Sequence, residues 1–134
     1  TDLSDASKKN IEYLVKLFPE ANFYIEHYYK TFFESRMKLY GLDEEEAHSF
    51  IDYYETEAQN ELDSFMEKLD IPQNIKVFKS AKKYVDIKTM IDEDMENKLI
   101  DLLSLSIGTG FSIFSFDLLA YSKKDVIIYK IKGD

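Results

Sequence analysis

The stretch from Asp43 to Leu69 constrains this chain more than any other. Ala47, Phe50, Ile51, Tyr54, Ala58, Leu62, Phe65 and Leu69 recur at spacings of three and four. At about 100° per residue they fall on one narrow stripe, which predicts a long amphipathic helix. Asp43 is a good amino cap, and the three glutamates after it sit where a helix dipole favours them. The remaining surface is acidic: ten carboxylates against one base, Lys68, give the segment a charge of −9. The whole chain also carries −9, so everything outside this helix sums to zero. Exposed helices usually alternate sign, and a one-signed face costs self-repulsion, so it suggests a use.

The flanking chain reads as further helices. Residues 4–18 carry a cap at Ser4 or Asp5, an inner face of Ile11, Leu14, Val15 and Phe18, and a stop at Pro19. Residues 20–40 read as a strongly aromatic helix ending at Gly41, a left-handed carboxyl cap. Its Tyr24, Ile25, Tyr28, Tyr29, Phe32, Phe33 and Leu39 cover half a circumference, which places it centrally. Pro72 opens a helix with Val77, Phe78, Ala81, Tyr84 and Val85 on one face and Lys76, Lys79, Lys82 and Lys83 on the other. Residues 85–91 fit either a strand or a continuation of that helix. Asp92 starts another helix, to about Ser106, with Met95, Leu99, Leu102 and Leu103 inside. After Gly108-Thr109-Gly110, residues 111–121 and 126–132 alternate like two strands around a turn at 122–125.

The expected fold is therefore α-rich α+β: four or five packed helices followed by a C-terminal β-hairpin, with an all-α bundle as the alternative. At 134 residues, 45% hydrophobic and with four Gly and two Pro, the chain reads as a single globular domain over 1–134. It has no cysteine, which removes disulfides, thiolate catalysis and cysteine-ligated zinc. No leader is visible at the amino end, and the expected compartment is cytoplasmic. The acidic balance argues against direct nucleic-acid binding, which sets Lys and Arg against phosphate.

Catalytic and metal motifs fail on inspection. Glu45-x-x-His48 has the spacing of a di-iron helical pair, but such a site needs two, and the other histidine, His27, follows Tyr24 at that spacing. Asp92-Glu93-Asp94 begins like a calcium loop, yet the sixth and twelfth positions hold Asn97 and Leu103. Gly108-Thr109-Gly110 lacks the third glycine of a dinucleotide loop and reads as a turn, since no strand is expected before it and no helix after it. The apolar run through residues 102–116 is shorter than the roughly 20 residues that span a bilayer. Neither histidine has a hydrolase motif around it.

What remains is a non-enzymatic acidic binding protein with no cofactor, no metal and no membrane contact. The expected partner is a basic protein, because an acidic helix can occupy a cleft built to hold phosphate. An immunity or antitoxin protein that neutralises a nuclease-type toxin fits this profile. The candidate contact residues are Glu45, Asp52, Glu55, Asp63 and Glu67, with Tyr53 as an aromatic anchor. The competing expectation is a sensor of an apolar small molecule, with a cavity lined by the aromatic helix.

Overall fold

A computed structural model describes residues 1–29, 40–41, 43–96, 100–107 and 113–130. These form two compact units, Glu20–Tyr84 and the combination of Thr1–Pro19 with Val85–Asp134.

The Glu20–Tyr84 unit is a strand–helix–strand crossover. Strand β1 spans Asn22–Tyr29, and the crossover helix α2 spans Glu44–Glu67 before strand β2 at Lys76–Lys83. The strands are parallel, in register from Asn22 against Lys76 to Tyr29 against Lys83. Successive side chains point to opposite faces. Buried Ile25 and its register partner Lys79 therefore share the face that carries α2, where Lys79 Nζ lies 2.6 Å from Asp63 Oδ1. Tyr24 and Phe78 share the other face, stacked with centroids 5.1 Å apart and both well exposed.

The acidic helix forms as the sequence predicts, and Asp43 caps it by accepting from the Glu46 N–H at 2.8 Å. Only part of its stripe is buried, however: Ala58, Leu62 and Phe65 are, whereas Phe50 is 45% exposed. Lengths explain this. Twenty-four helical residues extend about 36 Å, while eight parallel-strand residues extend about 26 Å. The helix outruns its sheet by about 10 Å, and the overhang is at its amino end.

The second unit contains α1 (Asp5–Leu17), a short α3 (Ile87–Met90), one π-helical turn (Ile91–Glu96), strand β3 (Leu102–Ile107), α4 (Ile113–Tyr121) and strand β4 (Asp125–Lys130). Strands β3 and β4 are parallel, from Leu102 against Asp125 to Ile107 against Lys130. Helix α1 packs on both strands and α3 packs on α4. The core is Ala6, Ile11, Leu14 and Val15 of α1 with Met90, Ile91 and Leu118. Tyr13 of α1 meets Tyr129 of β4 at 6.2 Å in a tilted pair.

The α-rich expectation is overturned: the chain is α/β with parallel strands. Residues 22–29 are strand where an aromatic helix was expected, because Asn-Phe-Tyr-Ile-Glu-His-Tyr-Tyr favours a pleated surface and gains a parallel partner. Residues 76–83 are strand, not a basic helix. The helix expected over 92–106 is a π turn followed, from Leu102, by β3. The C-terminal hairpin is absent. Residues 113–121 are the helix that carries the chain across from β3 to β4, as a parallel pair requires. Residues 87–90 are helical, with Asp86 accepting from the Thr89 N–H at 2.7 Å. Gly41 has the expected left-handed φ of 66°, but the second half of the helix it was to end, 30–39, lies outside the described residues.

Candidate functional site

The acidic face was the site expected from sequence. Glu45, Asp52, Glu55 and Glu67 are exposed, as is Tyr53 at 60%. Glu45, Asp52 and Glu67 fall within about 60° of one another on the helical wheel, away from Ala58, Leu62 and Phe65. Asp63 is drawn into the unit's own contacts. It takes Lys79 and the Gln59 Nε2 at 3.1 Å, and hydrogen bonds from Lys79 and Gln59 hold its carboxyl below the ordinary value. Glu55 faces the sheet side: burial, then the charge of Glu55, pushes the Tyr29 hydroxyl above its ordinary range. The predicted set thus splits, with Asp63 and Glu55 partly engaged and the other four residues facing solvent. Over residues 22–29 the helical wall expected for an apolar cavity is instead strand β1, and residues 30–39 of it lie outside the described residues. His48 is exposed, and no group of three potential metal ligands occurs among the described residues.

A second site was missed. Gly108-Thr109-Gly110 lies outside the described residues, but its surroundings do not: β3 ends at Ile107 and α4 begins at Ile113. The strand before and the helix after, which the sequence reading denied, are both present. In open parallel α/β folds, ligands gather at the carboxyl ends of strands, and phosphate favours helix amino ends.

Helix α1 brings its amino end to the carboxyl end of β3. Ser7 Oγ lies 2.8 Å from Ser106 Oγ, and one turn later the Asn10 amide donates to Ser104 Oγ at 2.9 Å. Going up α1 means going down β3, so the two run antiparallel. The amino turn of α1 therefore lies beside the carboxyl end of β3. Ser4 caps α1 by accepting from the Ser7 N–H at 3.2 Å. Asp2 Oδ1 accepts from the Ser4 N–H at 3.0 Å and from Ser7 Oγ at 2.7 Å. Burial acts to raise the Asp2 carboxyl, but hydrogen bonds from Ser4 and Ser7 outweigh it and hold the group below its ordinary value. Leu3, between them, has a φ of 64°, a left-handed conformation that costs a branched residue about 1–2 kcal/mol. The signal for this site was present as Ser104-x-Ser106 followed by Gly-Thr-Gly, but reading residues 92–106 as a helix concealed it.

No protein-family model matches this chain. No curated protein matches it either. Among solved structures, a universal stress protein in complex with cAMP is similar over 96% of this chain and 90% of that one, with a TM-score of 0.53 and 16% identity. At that identity the likeness shows the fold alone: an α/β arrangement like that of a universal stress protein. No helix among the described residues is long and apolar enough to cross a membrane.

Proposed function

We propose that this chain is a non-enzymatic, cytoplasmic binding protein for a nucleotide, whose phosphate is taken at the carboxyl end of β3. The observation that carries this reading is the placement of the amino turn of α1 beside the carboxyl end of β3, set by Ser7–Ser106 and Asn10–Ser104. A helix amino end carries the positive pole of a helix dipole, worth roughly half an elementary charge. In the sequence Gly108-Thr109-Gly110 follows β3, and glycine is the residue type that lets backbone approach a phosphate closely. The similar universal stress protein was solved with cAMP, a ligand of this class. Thermal melts and calorimetric titration with cAMP, ATP and inorganic phosphate test the reading. A nucleotide at a hundred times its Kd stabilises the fold by about 2.7 kcal/mol and raises Tm by several degrees. No shift with any nucleotide at millimolar concentration refutes it.

A second reading, binding of a basic protein such as a nuclease toxin by an immunity-type inhibitor, is favoured by one observation. The amino half of α2 presents Glu45, Asp52 and Tyr53 to solvent. Steered association of this kind slows steeply with salt, as the Debye length falls from about 10 Å at 0.1 M to about 3 Å at 1 M. A salt-independent on-rate for a captured basic partner excludes steering by this face.

A further inference from the structure

We propose that the outer strip of α2 carrying Phe50 and Tyr53 is the docking surface for one basic amphipathic helix of a partner protein, about four turns long. The inference rests on the basic-partner reading above. It names the kind of segment that partner offers and the residues that receive it.

Glu46, Phe50, Tyr53, Glu57 and Glu61 follow one another at spacings of three and four, within about 80° on the helical wheel. They lie outside the buried stripe of Ala58, Leu62 and Phe65, and all five are exposed. Phe50 and Tyr53, one turn apart, keep 45% and 60% of their surface in water. Tyr53 is also held in place: it meets Tyr54 edge to face, with centroids 5.4 Å apart at 81°. Its ring therefore has little freedom left to lose on binding.

Charge decides what covers the rings. Glu46 stands one turn before Phe50, Glu57 one turn after Tyr53, and Glu61 one turn later still. Among the described residues none of these three carboxylates takes part in an ion pair. The one base of the segment, Lys68, lies about two turns beyond Glu61. An apolar or acidic occupant would set those carboxylates against apolar surface or like charge, whereas Lys and Arg flanking an apolar stripe meet them. A cation can also lie over a tyrosine ring. Shape selects a helix as occupant. From Glu46 to Glu61 the strip is about 22 Å long and one ridge wide, with contacts repeating at a helix's own spacing. The contact set read from sequence is thereby revised. Glu45, Asp52 and Glu67 lie about 110° farther round α2, so they add to the field that draws a basic partner and not to the contact.

The probe is a fluorescent peptide of about 16 residues, with leucines on one helical stripe and lysine and arginine on either side. A second peptide carries the same charge but two internal prolines, which prevent the helix. Anisotropy at low salt gives Kd for each, with Tm and helical ellipticity recorded for every protein. The helical peptide is expected to bind about tenfold or more tightly than the proline peptide, because only it matches the strip. Tyr53→Ala and Glu57→Lys are each expected to weaken the helical peptide by about tenfold. Asp52→Lys changes the net charge as much as Glu57→Lys and is expected to weaken it by less than about threefold. If the two basic peptides bind equally, or Asp52→Lys weakens binding as much as Glu57→Lys, the attraction is diffuse. The docking strip is then refuted while the basic-partner reading stands. Unchanged binding by Tyr53→Ala refutes the strip in the same way. If the wild type binds neither basic peptide, the basic-partner reading fails with it.

Discussion

Leu62 and Phe50 occupy the same apolar stripe of α2, and the periodicity of the sequence treats them alike. The structure separates them. Leu62 is fully buried, at 0% exposure, between α2 and the β1–β2 sheet, whereas Phe50 lies on the overhang and keeps 45% of its surface in water. Leu62→Ala removes buried methyl groups and leaves a cavity, a change that costs about 2.7–5 kcal/mol at fully buried sites. A single helix on two strands can settle partly into the space, so a loss of about 3 kcal/mol is expected. Phe50→Ala forfeits only about half the roughly 1.5–3 kcal/mol of a buried aromatic, and water fills the gap without a cavity term, so about 1 kcal/mol is expected. Urea melts followed by helical ellipticity measure both, with the m-value confirming that the unfolding transition is unchanged. Equal losses would mean that α2 is packed along its whole length and that the overhang does not exist.

Two further outcomes follow from the amino turn of α1. Ser4→Ala removes the side-chain cap on Ser7 and is expected to cost about 1 kcal/mol in the same melts, with Ser4→Asp restoring most of it. Asp2 has a folded-state carboxyl value below its ordinary one, so its stabilisation is complete above the ordinary value and is lost as pH falls through the lowered one; Asp2→Asn is expected to flatten that part of the acid limb of a stability–pH curve, and an unchanged limb would remove Asp2 from the network.

The elements visible in the sequence were those whose signals are local. Helix α1 announced itself through Ser4 and the spacing of Ile11, Leu14 and Val15, and α2 through Asp43 and a stripe seven turns long. The strands were not visible, for two reasons. Windows of six to eight residues fit either period: Tyr24, Ile25, Tyr28 and Tyr29 satisfy a helical spacing while also alternating across a sheet. Strands in parallel sheets also tend to be covered on both faces, so Leu102-Leu103-Ser104-Leu105 lacks the clean alternation that identifies a half-exposed strand. In α4 the error ran the other way, since Phe114, Phe116 and Leu118 alternate with polar Ser115 and Asp117 although the segment is a helix. The pairing of Asn22 with Lys76 joins residues far apart in sequence, and nothing local records it. Misreading the elements on either side of Gly108-Thr109-Gly110 then removed the context that gives those residues meaning.

The overhang of α2 also divides the helix energetically. Its carboxyl half is fastened by Leu62 and Phe65, so opening it means dismantling the sheet unit. Its amino half, capped by Asp43, holds no fully buried side chain among the described residues, although Ala47, Ile51 and Tyr54 are half-buried. With less burial there than around Leu62, the amides of those turns are expected to exchange with solvent sooner. A protease would find its first foothold there, and any molecule that grips the acidic turns would slow their exchange without altering the global melting curve to the same degree.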